Sequence, residues 1–112
     1  MIETVLLNYL NSAGLSAQVH MEQPAKKPSA FYILEKTGGS QTNHINESNF
    51  TVQSYADSLA NAAHMNEDIK QAMLNAITLD EISRVELNSN YNYSDPTTKQ
   101  YRYQAVFVIT HY

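Results

Sequence analysis

The sequence predicts an α+β fold, with two helices packed on a mostly antiparallel sheet of about five strands in the order α-β-β-β-α-β-β. Two stretches repeat apolar residues at helical spacing, one near residue 1 and one after residue 57. Between and after them lie runs rich in β-branched and aromatic residues, separated by glycine and proline signals. The 112 residues suffice for one domain, 1–112, with a single core.

The opening residues predict a helix followed by a strand. Apolar residues recur at helical spacing from residue 2 to residue 13, and Gly14 follows where a left-handed C-terminal cap is expected. Because no basic segment precedes this stretch, we expect a helix of the fold instead of a secretion signal. The stretch 15–21 alternates apolar and polar residues, which favours a half-buried strand. The two prolines of "EQPAKKPS" then interrupt regular structure.

A β-hairpin with a long polar tip is predicted around the segment "EKTGGSQTN". The runs "AFYILEK" and "SNFTVQSYA" have the composition of strands, and Gly38 and Gly39 lie between them. We expect the two glycines to supply positive φ angles in the turn. A phosphate-binding loop is excluded, because the lysine precedes the glycines and strand-type sequence, not a helix, follows them.

The second half of the chain predicts a second helix with an N-terminal cap at Asp57 or Ser58. The stretch 64–68 is less apolar than the rest, which leaves a local irregularity of the helix open there. The predicted buried face of this helix comprises Leu59, Ala62, Ala63, Ile69, Ala72, Met73, Ala76 and Ile77.

Two further strands complete the predicted sheet. The run "ISRVELNSN" predicts a short strand, Asp95-Pro96 a turn, and "YRYQAVFVITHY" the last strand. Val106 and Val108 alternate with the apolar residues of the other face, so this strand is expected to be central and covered on both sides. That other face comprises Tyr101, Tyr103, Ala105, Phe107 and Ile109.

The composition argues against an enzyme and against a metal site. The chain has no cysteine, so disulfides, thiolate nucleophiles and cysteine-bound zinc are excluded. His20, His44, His64 and His111 share no metal-ligand spacing, and no nucleophile-elbow motif occurs. The sequence therefore predicts no catalytic, metal or cofactor-binding residues, unless folding brings His20 or His111 beside an acidic group such as Asp57 or Glu86.

The charge balance disfavours nucleic acid as the main partner. The formal net charge is −4, from 7 basic and 11 acidic side chains, and the basic residues are scattered. Non-specific affinity for nucleic acid depends on clustered lysine and arginine, because these residues release counterions from the phosphates.

Tyrosine is the unusual component, with eight residues in the chain. Tyr91 and Tyr93 form one pair spaced by two, and Tyr101 and Tyr103 form another, so a hairpin could bring the pairs together. Three interpretations stay open: cross-strand packing within the hairpin, contact with a protein partner, and stacking against a ligand.

Several stretches resemble the tail terminator proteins of long-tailed bacteriophages and prophages, also called tail-to-head joining or tail completion proteins. The similar features are a short N-terminal helix, "PAKKP" before a strand, "FYILEKTGG", "FTVQSYADSLANAA" and the ending "ISRVELNSNYNYSDPTTKQYRYQAVFVITHY". The resemblance covers nearly the whole chain. It rests on the pattern of structural elements and not on a catalytic signature.

The resemblance implies an α+β protein that self-associates into a ring, typically a hexamer. Such a ring caps the growing tail tube, ends its polymerisation and offers a docking surface to the head connector. It implies a tail tube protein and a head-connector protein as partners, with DNA only passing through the lumen, and neither cofactor, catalysis nor membrane. The implied location is the head-proximal end of the tail in the virion, and the host cytoplasm during assembly.

The predicted subunit or partner contacts combine the hairpin segment with the tyrosine pairs. Two alternatives stay open: another neck or connector-completion protein, and a small nucleic-acid-binding module that uses Tyr91, Tyr93, Tyr101 and Arg102. The predicted contact residues are Glu35, Lys36, Thr37, Gly38, Gly39, Ser40, Tyr91, Tyr93, Tyr101 and Tyr103.

Overall fold

Two α-helices pack on one face of a five-stranded sheet, as the computed structural model describes for residues 1–26, 28–42, 45–94 and 101–112. The strand order across the sheet is β1-β2-β3-β5-β4, with β1 and β2 parallel and the other neighbours antiparallel. This confirms the predicted fold class and element order. The elements are α1 (Ile2–Asn11), β1 (Val19–His20), β2 (Phe31–Thr42), β3 (Ile45–Ala56), α2 (Leu59–Asn75), a 3₁₀ helix (Ala76–Thr78), β4 (Ile82–Asn92) and β5 (Tyr101–His111).

The core lies between the helices and the face of the sheet that they cover. Phe50 of β3 and Phe107 of β5 are cross-strand neighbours at its centre, and both are fully buried. Alternate residues of each strand point to this face, because side chains along a strand alternate with a period of two. The helices contribute Ile2, Leu6, Leu10, Ala62, Met65, Ile69, Ala72 and Met73 to the core.

The first predicted strand is much shorter than the sequence suggests. Instead of 15–21, only Val19 and His20 pair with β2. The side chain of Asn11 explains the difference, because its amide nitrogen donates to the Val19 carbonyl (3.1 Å) and its oxygen accepts from the Val19 N–H (2.9 Å). The end of α1 therefore holds the start of β1. Gly14 has a positive φ of 79°, as predicted, but α1 ends at Asn11 with Ser12 as its cap, so Gly14 lies in the turn that follows.

The second helix is capped by Ser58, one of the two predicted residues, and it is regular throughout. The Ser58 hydroxyl accepts a hydrogen bond from the Asn61 N–H at 3.2 Å. Through 64–68 the helix is continuous, because Met65 and Asn66 in that polar stretch are themselves buried against the sheet. The prediction that Leu59 and Ile77, at the two ends of the buried face, are buried is wrong, since both are exposed. Ile77 leaves the buried face because the chain changes to a 3₁₀ helix at residue 76.

The last strand is internal, as predicted, lying between β3 and β4. Val106 and Val108 are only half-buried, and the helices pack on the opposite face, so the expected covering of both faces is wrong. The predicted Asp95-Pro96 turn lies outside the described residues. In the described chain, neither helix has the length and apolar character needed to cross a membrane.

The paired glycines lie within a strand and not in a turn, which corrects the sequence prediction. Gly38 and Gly39 belong to β2, which continues to Thr42, and neither has a positive φ. Gly38 follows a β-bulge, where the register shifts after Lys36. A Cβ atom at Gly39 would lie 2.8 Å from the Glu47 carbonyl oxygen of β3. The small residue is therefore needed for the close approach of two strands.

Substitution of the two glycines should give opposite results. Gly39→Ala should lower the free energy of unfolding by about 1–3 kcal/mol, because the added methyl group forces β2 and β3 apart. Gly38→Ala is the matched control, since its Cβ would meet only the flexible Asn49 amide at 3.4 Å and alanine loses less backbone entropy. Urea unfolding followed by far-UV circular dichroism measures both. Equal effects of the two substitutions would contradict the described hairpin register.

Candidate interaction surface

The sheet face opposite the helices carries the most organised group of polar and aromatic side chains. We call this the outer face; no helix among the described residues covers it. The alternation of β2, β3, β5 and β4 places one set of residues there. Its members include Phe31, Ile33, Glu35, Thr51, Gln53, Tyr55, Arg102, Gln104, Val106, Val108, Arg84, Glu86 and Tyr91.

Four side chains, three from the neighbouring strands β2, β3 and β5 and one from the residue that follows β4, form a stacked row across the outer face. The rings of Phe31 and Tyr55 are 4.6 Å apart and nearly parallel, at 9°. The guanidinium carbon of Arg102 lies 5.7 Å from the centre of the Tyr55 ring and 4.4 Å from that of Tyr93. We call Phe31, Tyr55, Arg102 and Tyr93 the aromatic row. A cation between two aromatic rings is attracted by both, because the ring faces carry partial negative charge.

Hydrogen bonds fix Arg102 in this position. Its Nε donates to the Tyr93 carbonyl at 2.8 Å, and its Nη1 donates to the Tyr55 hydroxyl at 3.1 Å. The backbone N–H of Arg102 donates to the hydroxyl of Ser94 at 3.1 Å. The fork of N–H donors on arginine suits this arrangement, since one planar group can stack and donate at once.

A chain of amide and hydroxyl groups runs beside the aromatic row. The Tyr55 hydroxyl donates to the Gln53 side-chain oxygen at 2.8 Å, and the Gln53 amide donates to Gln104 at 3.1 Å. The Gln104 amide in turn donates to the Tyr91 hydroxyl at 2.6 Å. Linked hydrogen bonds of this kind hold side chains in one arrangement, because each group is both donor and acceptor.

The aromatic row is buried at one end and accessible at the other. Phe31 and Tyr55 are buried, and Gln23, from the segment between β1 and β2, donates to the Tyr55 hydroxyl at 3.3 Å. Tyr91 and Tyr93 are exposed to 42% and 47%, with their rings edge to face at 5.8 Å. Exposed tyrosines held in place by neighbours are common anchors of protein interfaces.

The two predicted tyrosine pairs lie on opposite faces of the sheet. Tyr91 is the cross-strand neighbour of Gln104 on the outer face, whereas Tyr103 faces Asn92 on the side of the helices. The hairpin therefore does not bring the pairs together. The same registers place Tyr101 on the side of the helices, whereas Tyr91, Tyr93 and Arg102 lie on the outer face. The four residues predicted for a nucleic-acid-binding module are therefore divided between two faces.

Two other tyrosines explain part of the enrichment in this residue. The Tyr9 hydroxyl donates to the Ala72 carbonyl at 2.9 Å and joins α1 to α2. The Tyr32 hydroxyl donates to the Met65 carbonyl at 3.1 Å and joins β2 to α2. Burial raises the pKa of Tyr9 and raises that of Tyr32 to about 12, with the Asp68 carboxylate acting in the same direction on Tyr32. Tyr9 and Tyr32 therefore hold α2 against α1 and β2.

The predicted hairpin contacts lie along the distal half of β2. Thr37 is the bulge residue, and its hydroxyl lies 3.5 Å from that of Thr51 on β3. Gly38 is half-buried; the exposed members of the predicted segment are Glu35, Lys36, Thr37, Gly39 and Ser40. The structure thus separates the predicted contacts into three groups: the β2 segment, Tyr91 and Tyr93 at the β4 edge of the sheet, and Tyr101 and Tyr103 on the helix side of β5.

The two histidines that the sequence singled out, His20 and His111, lie at opposite ends of the sheet and do not form one site. His20 lies edge to face with Phe31 near the start of β2, whereas His111 lies at the far end of β5. The Nε2 atom of His111 is 2.8 Å from the buried Ser48 hydroxyl, and its Nδ1 atom is 3.3 Å from the Tyr112 carbonyl. The buried Ser48 hydroxyl and the His111 ring are thereby both hydrogen-bonded. His44 lies outside the described residues, and the described chain contains no group of three residues suited to hold a metal ion.

No protein-family model and no curated protein matches this chain.

Two of the four residues of the aromatic row, Tyr93 and Arg102, were singled out from the sequence, whereas Phe31 and Tyr55 were not. The neighbouring Gln53 and Gln104 were not predicted either. A signal was present, because Arg102 and Gln104 alternate with Tyr101 and Tyr103 and so must lie on the other face of β5. The register between β3 and β5, which decides that Arg102 faces Tyr55, is a property of the folded chain.

Proposed function

We propose that this protein is a phage structural protein of the tail terminator type. It forms a ring on the tail tube, ends tube polymerisation and presents a docking surface to the head connector. In this proposal it works by contact and not by catalysis, at the head-proximal end of the tail in the virion and in the host cytoplasm during assembly. The resemblance of nearly the whole sequence to that class is the observation that carries the proposal.

The outer face supports an assembly role. The exposed tyrosines at one end of the aromatic row are held by Arg102 and Gln104, so little side-chain freedom is lost when a partner docks on them. The distal half of the β2–β3 hairpin adds a second exposed surface, on a molecule that measures 46 × 24 × 24 Å. Two separate contact surfaces suit a subunit that binds its own copies and another protein.

The charge is consistent with a lumen through which DNA passes. Six copies at −4 each carry a formal charge of −24. Like charge between an acidic channel and the phosphates discourages contacts that would hold the DNA.

The proposal is tested on tails assembled with and without the protein. We expect electron microscopy to show a ring at one end of each tube when the purified protein is added to tail tubes. Inactivation of the gene should give overlong or headless tails. Tails of normal length that join to heads without the protein would refute the proposal. Binding to the capsid vertex with unchanged tail length would favour another neck protein.

A further inference from the structure

Two strands of the sheet have backbone edges that no other described strand occupies. β4 is the last strand on one side, so its outer edge is open along Ile82–Asn92. On the other side β1 pairs only with Tyr32 and Ile33, so β2 is open from Leu34 onward. Open edges present unpaired N–H and C=O groups that can pair with another strand.

The two open edges lie at the same level along the strand direction of the sheet. The registers connect Leu34 of β2 with Val52, Ala105 and finally Asn90 of β4 in one row. The same registers connect Gln41 of β2 with Ile82 of β4. The open stretch 34–41 therefore has its counterpart in the stretch 82–90 of β4.

The two edges also run in opposite directions. β2 is antiparallel to β3, β3 to β5, and β5 to β4, so β2 and β4 are antiparallel to each other. When a second copy is rotated about an axis parallel to the strands, its β2 comes beside β4 of the first copy in antiparallel orientation. The sheet then continues into the next copy with the pairing that it already uses.

The side chains of the two edges are compatible. The β2 edge carries one acidic and one basic residue, Glu35 and Lys36, and the β4 edge carries the ion pair of Arg84 and Glu86. Neither edge therefore repels the other by net charge. The β2 edge also contains one β-bulge, after Lys36, and the β4 edge contains two, after Ile82 and after Leu87; such bulges limit pairing with unrelated strands.

We propose that β4 of one copy pairs with residues 34–41 of β2 in the next copy, and that this contact joins the subunits of the ring. The inference rests on the proposed function and names the surface through which the ring forms. The contact is head-to-tail, because different surfaces of the two copies meet, and it closes when the rotation per copy divides a full turn. It uses all the exposed residues of the predicted hairpin segment.

Disulfide cross-linking tests the contact in the full-length chain, which has no native cysteine. Ser40 and Arg84 lie in one row on the outer face, and a shift of two residues brings Glu86 opposite Ser40. Directly opposed residues have the Cα separation that a disulfide needs, about 5.5 Å. The two test variants combine Ser40→Cys with either Arg84→Cys or Glu86→Cys. The control combines Ser40→Cys with Gln71→Cys, at an exposed position of α2.

At least one of the two test variants should form a ladder of covalent oligomers on a non-reducing gel, whereas the control should stay monomeric. The oxidation is done on concentrated protein and on protein bound to tail tubes. The two single-cysteine proteins of the pair that gives the ladder should not cross-link alone but should do so when mixed. Efficient cross-linking of one single variant with itself would instead indicate a two-fold contact and overturn the proposal.

The outcomes separate this inference from the proposed function. A ring on tail tubes without the ladder would overturn the β2–β4 contact and leave the terminator function intact. A ladder from a protein that neither caps tubes nor changes tail length would support the contact and refute the function. A protein that stays monomeric at every concentration and ignores tail tubes would refute both.

Discussion

Replacement of Phe107 by alanine should lower the free energy of unfolding by about 3–5 kcal/mol, the range for large-to-small changes of buried aromatic residues. Phe107 is fully buried and faces Phe50 and Leu87 on the neighbouring strands, beneath the helices. The cavity would lie at the centre of the core, where strands on both sides fix the backbone and limit collapse. Domains of this size have a total stability of about 5–15 kcal/mol, so the variant should be close to unfolding.

Val108→Ala provides the matched control on the adjacent residue. Val108 points to the outer face and is half-buried, so its truncation should cost about 1 kcal/mol, given ~0.8 kcal/mol per buried methylene. Urea unfolding with far-UV circular dichroism compares the two variants, and unchanged m-values would show that the folded states are comparable. A larger loss for Val108→Ala than for Phe107→Ala would mean that the two faces of β5 are assigned the wrong way round.

The sequence was sufficient for the elements whose periodic pattern is long. Ten or more residues at helical or alternating spacing outweigh local propensity, which is why α1, α2 and β5 were predicted close to their observed bounds. The errors concern short or polar segments. Leu15 and Ala17 alternate like a strand, but the hydrogen bonds of Asn11 to Val19 decide where β1 begins.

The glycine pair shows a second limit of sequence reasoning. A Gly-Gly dipeptide between two strands usually marks a turn, because glycine tolerates positive φ. Here the determining interaction is across the hairpin, where Gly39 lies against the Glu47 carbonyl. Nothing local in the sequence encodes this distance, since it depends on the register of β2 with β3. The aromatic row could not be predicted from the sequence for the same reason, because its members are far apart along the chain.

Arg102→Ala should lower the free energy of unfolding by about 2–3 kcal/mol, although the residue lies outside the core. The guanidinium group donates to the Tyr55 hydroxyl and to the Tyr93 carbonyl, and it lies against both rings. Hydrogen bonds to a charged group contribute about 1.5–3 kcal/mol, and a cation–π contact at a partly exposed site about 0.5–1 kcal/mol. The contributions overlap, because one planar group makes all of them, so the sum is not expected.

Arg84→Ala is the control for Arg102→Ala, since both arginines lie on the outer face. The Arg84 side chain is 68% exposed and forms an ion pair with Glu86, so its removal should change stability by about 0.5 kcal/mol or less. Arg102→Lys should recover only a small part of the loss, because an ammonium group cannot stack and donate through a rigid fork. Urea unfolding measures the three variants, and near-UV circular dichroism reports the packing of the tyrosines.

The comparison decides whether the aromatic row is a structural unit or a set of independent contacts. If it is a unit, Arg102→Ala releases Tyr93, which is 47% exposed and stacks on the Arg102 guanidinium group. The near-UV signal should then fall while the far-UV signal of the sheet is retained. Equal and small effects of Arg102→Ala and Arg84→Ala would show that the row adds no stability. The exposed tyrosines would then have to be ordered at the moment a partner docks, at a cost of about 0.5–1.5 kcal/mol per side chain.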